Sequence, residues 1–79
     1  MWSNGVIQVP LSSGKKVNVK YWVKHYDHPS EWGIGGGRIS KLCLKVGTED
    51  ICSYDRGWDI EPESEEAAFA FAILMKEYN

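Results

Sequence analysis

Three features of the chain predict an α+β fold: a four-stranded antiparallel β-meander with one C-terminal α-helix packed on one face. Residues 16–26, KVNVKYWVKHY, alternate with a period of two. Residues 38–46, RISKLCLKV, alternate again and run into Gly47-Thr48, a two-residue hairpin turn with Gly first. From Pro62 to Glu77 the apolar residues follow the helical period instead. With 79 residues, residues 1–79 form a single domain, because a second core needs more chain.

The elements follow in order. Residues 5–11, GVIQVPL, read as a short strand in which Pro10 suits an edge or an end. Ser12-Ser13-Gly14 is a turn. In the second strand Val17, Val19, Tyr21, Val23 and His25 share one face, and Asn18, Lys20, Trp22, Lys24 and Tyr26 share the other. Residues 27–37, DHPSEWGIGGG, form a long loop. The third strand sets Ser40, Leu42, Leu44 and Val46 against Ile39, Lys41, Cys43 and Lys45. Residues 49–54 return as the fourth. A two-residue loop pairs Val46 with Glu49, Leu44 with Ile51 and Cys43 with Cys52, whereas a four-residue loop sets Cys43 opposite Tyr54. Either register keeps both cysteines on one face. Asp55 to Trp58 is a loop. The helix begins near Pro62, where Glu63, Glu65 and Glu66 suit its dipole. Its stripe of Ala67, Phe71, Leu74 and Tyr78 meets the Val17, Val19, Tyr21, Val23, Leu42, Leu44 and Ile51 face.

Composition narrows the class. At 43% hydrophobic residues and a net charge of −2 the chain is not disordered. Its longest apolar run, Ala67 to Met75, is too short for a span of about 20 residues, so no membrane is expected. The opening MWSNGVIQVP has no charged leader or apolar core, which points to a cytoplasm, where Cys43 and Cys52 stay reduced. Charge is segregated: residues 1–46 carry seven cations against two anions, residues 47–79 two cations against nine anions.

Four groups of residues bear on function. Gly33 to Gly37 resembles a phosphate loop, but it enters a strand and not a helix, so a flexible turn is expected. His25, Asp27, His28, Cys43 and Cys52 are candidate zinc ligands, though His-x2-His followed by Cys-x8-Cys matches no common finger, and no other cofactor is indicated. Lys20, Trp22, Lys24, Tyr26, Lys41 and Lys45, with Tyr54, stand together on the outer sheet face, where rings stack on bases and ammonium groups meet phosphates. Against that, the chain is acidic overall, with a pI near 5.6. The fourth group is Asp55, Trp58, Asp59, Glu61, Glu63 and Glu66, an acidic stretch with an aromatic anchor that suits a basic groove. Behind it, Phe69 and Ile73 project from the back of the helix, toward a flap of the same chain, a second copy in a homodimer, or another partner. No serine, cysteine or lysine nucleophile is visibly paired with a base, so an enzyme is not expected.

GGRISKL (36–42), YDRGWDIEP (54–62) and a helix ending in KEYN (76–79) resemble a family of small uncharacterised proteins spread through Gram-positive bacteria and their prophages. The likeness covers roughly residues 20–79. Its Tyr54 to Asp59 stretch equally suits a structural turn, with Gly57 at a special backbone angle, Trp58 as a lid on the core and Arg56 paired with a carboxylate. The phage setting implies a non-enzymatic inhibitor in the bacterial host cytoplasm that binds a host protein, a defence nuclease such as a CRISPR effector, as anti-CRISPR proteins do. The acidic stretch and the Phe69/Ile73 ridge would carry that contact. A single-stranded nucleic-acid-binding domain is the alternative, and a small zinc-stabilised interaction domain the third reading.

Overall fold

The alternation of Val17, Val19, Tyr21 and Val23 builds the longest strand, and the rest of the sheet assembles around it. The computed structural model describes residues 1–79. Five strands, β1 (Trp2–Pro10), β2 (Lys16–His25), β3 (Ile39–Val46), β4 (Glu49–Asp55) and β5 (Trp58–Ile60), precede one helix, α1 (Glu65–Tyr78). Each strand pairs antiparallel with the next, giving the sheet order β1-β2-β3-β4-β5. The α+β class and the single helix are as expected. The strand count is five and not four, because the expected loop after Asp55 turns back at once and pairs Tyr54 with Trp58 and Ser53 with Ile60. Three residues are too few for a period of two to register.

One face of the sheet is covered. Val9, Val19, Val23, Leu42, Leu44, Cys52 and Tyr54 are buried there beneath Ala67, Ala70 and Leu74 of α1. The two alanines let the helix approach the sheet closely, while Phe71, Met75 and Tyr78 flank the contact. The helix starts at Glu65 and not near Pro62, because Ser64 is its cap and accepts the Ala67 N–H at 3.2 Å. Glu65 then accepts hydrogen bonds from the Ser12 N–H and hydroxyl, tying the helix start to the β1–β2 turn.

Two extra residues overturn the expected facing of two strands. In β3, Lys24 pairs Lys41 but His25 pairs Ile39, so Ser40 bulges out. Ile39 thereby enters the core, fully buried, and Ser40 leaves the apolar face assigned to it. In β4, Lys45 pairs Asp50 but Leu44 pairs Cys52, so Ile51 is the extra residue. Ile51 still packs on the core, and Cys52 and Tyr54 turn inward after it. Cys43 faces Ser53 on the uncovered side. The two cysteines are therefore on opposite faces, and Tyr54 is not part of the outer face.

The glycine-rich loop is folded. Ile34–Gly36 is a 3-10 turn, and Ile34 is buried. Asn79 holds it from behind: Oδ1 accepts the Ile39 N–H at 2.9 Å and Nδ2 donates to the Ile34 carbonyl at 3.1 Å. A side chain at Gly37 would collide with Asn79, which is the packing reason for glycine there. The left-handed residue after β4 is Arg56, with φ 58°, and not Gly57.

Candidate nucleic-acid interface

Strand register arranges the uncovered face in three rows. The first runs Trp2, Lys24, Lys41, Asp55; the second Asn4, Trp22, Cys43, Ser53, Ile60; the third Val6, Lys20, Lys45, Asp50. Lys24 thus sits directly opposite Lys41, and Lys20 directly opposite Lys45. Like charges facing each other across a sheet destabilise it. The face holds two ion pairs, Lys41–Asp55 at 3.8 Å and Lys45–Asp50 at 3.2 Å. Both are half-exposed, and such pairs contribute about 0–1 kcal/mol and yield readily to another anion. Lys20 and Arg56 make no ion pair. Lys24 Nζ lies 5.9 Å from the Trp2 ring centre and 5.6 Å from that of Tyr26.

At one end of the first row the face deepens into a cleft of about 250 Å³, with Lys24, Tyr26, Trp32, Ser40, Lys41 and Arg56 around it. Local structure explains each wall. The bulge directs Ser40 here, and its hydroxyl donates to the Lys24 carbonyl at 3.4 Å. Arg56 arrives on its left-handed backbone, its N–H bonded to the Ser40 carbonyl at 3.2 Å. That conformation costs a non-glycine residue about 1–2 kcal/mol. Trp32 comes from the folded loop, and its carbonyl accepts the Tyr54 hydroxyl at 2.9 Å. The Tyr26 phenol is held below its ordinary value, chiefly by polar contact with the Lys24 ammonium. Three cations and two aromatic rings around one hollow suit a phosphate with a stacked base. Of the outer-face residues named from sequence, Lys20, Trp22, Lys24, Tyr26, Lys41 and Lys45 all fall on or beside this surface. Trp2, Trp32, Ser40 and Arg56 were not foreseen. Trp2 shares the parity of Val6, which was the available signal; the others lie in loops or at a bulge, where alternation carries no information.

The acidic candidates divide. Asp55 is on the uncovered face, engaged by Lys41. Trp58 packs edge-on against Tyr54 at 5.0 Å and Phe71 at 5.4 Å, so it lids the core, yet it remains 37% exposed. Asp59 is the extra residue of β5. Glu61, Glu63 and Glu66 come together with Glu49 and Asp50 around a cleft of about 260 Å³ at the sheet's far edge. Phe69 and Ile73 are 41% and 36% exposed on the outer side of α1. Arg56 has no carboxylate partner.

The metal candidates do not converge, and no three of the chain's His, Cys, Asp and Glu side chains gather as a ligand set. Asp27 and His28 are exposed in the loop. His25 stacks on Tyr78 at 4.6 Å on the helix side. Cys43 donates to Asp50 at 3.8 Å. Burial pushes the Cys52 thiol up to about 12. One nucleophile–base contact not foreseen does occur: Ser3 Oγ and His25 Nε2 are 3.0 Å apart. The ring lacks a carboxylate to orient it, and no cleft opens on the pair, so the contact reads as structural.

Fold and surface together define a small α+β domain with one helix-covered and one open sheet face. The chain belongs to the family described as a domain of unknown function (DUF7678), whose model matches residues 1–79. Neither the curated proteins nor the solved structures contain a significant match. No helix is long and apolar enough to cross a membrane.

Proposed function

We propose that the protein is a non-enzymatic binding domain that holds single-stranded nucleic acid on its open sheet face. The observation that carries this reading is the facing pairs Lys20/Lys45 and Lys24/Lys41 among Trp22, Tyr26 and Trp32. A polyanion relieves the repulsion between facing ammonium groups, and the rings offer every base a surface regardless of sequence. Asp50 and Asp55 stand on this face, ion-paired to Lys45 and Lys41, while Glu61 and Glu63 lie at the far edge and Glu65, Glu66 and Glu77 on the helix. A short fluorescent oligonucleotide titrated at low salt tests it. Binding should weaken with salt by a log–log slope of about −0.7 per phosphate neutralised. Trp22→Ala should weaken it by about 1–3 kcal/mol, roughly 5–150-fold. No binding at low salt refutes the reading.

Phe69 and Ile73 favour a second reading, an inhibitor that docks the outer side of α1 on a host protein such as a defence nuclease. Glu61, Glu63 and Glu66 would then steer the encounter with a basic groove, while Asp55, held by Lys41, would stand outside the contact. Affinity capture from host lysate should recover one dominant protein, and Phe69→Lys should abolish its capture. Capture unchanged by Phe69→Lys removes this reading.

A further inference from the structure

The two edges of the sheet are unlike. The β5 edge is three residues long, carries a bulge at Asp59 and is bordered by Asp55 and Glu61, all of which discourage strand addition. The β1 edge is nine residues long, WSNGVIQVP, with no charged side chain and no break in register against β2. None of the usual protections is present along it, apart from Pro10 at its end.

Its hydrogen-bonding groups can be assigned. Met1 and His25 exchange both backbone bonds, at 3.0 and 2.9 Å. Antiparallel alternation then turns the N–H and C=O groups of Ser3, Gly5, Ile7 and Val9 toward β2 and leaves those of Trp2, Asn4, Val6 and Gln8 at the free edge. Pro10 falls on the free side too, so its missing N–H costs the β1–β2 ladder nothing.

We propose that β1 is a homodimer interface, pairing antiparallel with β1 of a second copy about a dyad at Val6. In that register Val6 faces Val6 of the second copy, Asn4 faces Gln8 and Trp2 faces Pro10. Every free N–H of the edge meets a free C=O, and only the Trp2 carbonyl is left over. Val6, 58% exposed in the single chain, is covered at the dyad by its own symmetry mate. No other symmetric register uses the whole strand. The dyad stands perpendicular to the sheet, so the two five-stranded sheets join into one of ten strands. Both helices lie on one side and both open faces on the other. A domain this small buries a modest core, and a shared sheet enlarges it.

Sedimentation over a concentration series tests the proposal. The wild-type protein should approach twice the 9.0 kDa chain mass. Val6→Lys, which sets two ammonium groups on the dyad, should sediment as a single chain with an unchanged circular-dichroism spectrum. The register is read separately in a Cys43→Ser background, where Val6→Cys should crosslink into dimers under mild oxidation and Gln8→Cys should not. A wild-type chain that stays at 9.0 kDa up to its solubility limit overturns the proposal, as does a dimer that Val6→Lys leaves intact.

Discussion

Asn79→Ala probes the contact that closes the molecule. The Asn79 side chain satisfies the Ile39 N–H at 2.9 Å and the Ile34 carbonyl at 3.1 Å, and both isoleucines are buried. Alanine leaves the Ile39 N–H without this acceptor, while the Ile34 carbonyl keeps its second bond, from the Gly37 N–H at 3.0 Å. One orphaned donor costs about 1–3 kcal/mol. A domain of 79 residues holds about 4–12 kcal/mol in all. In urea, with a slope near 1 kcal/mol/M, the midpoint should fall by about 1–3 M while the slope stays the same. Because the same loop carries Trp32 into the cleft, oligonucleotide affinity should fall with it. A midpoint shift below about 0.5 M would show that the loop is held by something other than this side chain.

Ligand should stabilise the fold in proportion to its occupancy. At an oligonucleotide concentration of about 100 times Kd the gain is about 2.7 kcal/mol, which should raise Tm by about 10–20 °C for a chain of this size. Lys24→Ala removes one member of a facing ammonium pair; thermal melts should show the free protein no less stable and the oligonucleotide-induced rise smaller. Cys52 predicts an alkaline limit. Its thiol sits at about 12 in the folded chain against 9.0 ordinarily, so the native state keeps a proton that the unfolded chain releases. Stability from this group is constant below pH 9 and declines as pH rises toward 12, and urea midpoints across that range should flatten in Cys52→Val. Thiol titration at neutral pH should count Cys43 slowly and Cys52 only after denaturant is added.

Much of the fold was legible because alternation and helical period report burial directly. Val19 and Val23, Leu42 and Leu44, and Ala67, Ala70 and Leu74 lie where the periods place them. What failed was counting through bulges. Ser40 and Ile51 each add one residue, and one residue inverts every side chain beyond it, which is how Ile39, Cys52 and Tyr54 came to be placed on the wrong face. β5 is shorter than any periodic signal. The site was legible where it stands on β2 and β3, from Lys20 to Tyr26 and from Lys41 to Lys45. Its remaining wall, Trp32, Ser40 and Arg56, depends on a folded loop, a bulge and a left-handed backbone angle, none of which alternation encodes. The acidic stretch looked continuous because its residues are close along the chain, but β4 and β5 turn Asp55 away from Glu61, Glu63 and Glu66.

The plain meander order also shapes how the molecule comes together. Every strand joins its neighbour in sequence, so hairpins can zip successively with little loop-closure entropy and without waiting for distant segments. The helix and Asn79 reach back furthest, to β1, β2, β3 and the glycine-rich loop. During synthesis the sheet therefore emerges bare on both faces, and its cover arrives last. If docking follows the rate-limiting step, Asn79→Ala should quicken unfolding in stopped-flow traces and leave the refolding limb almost unmoved.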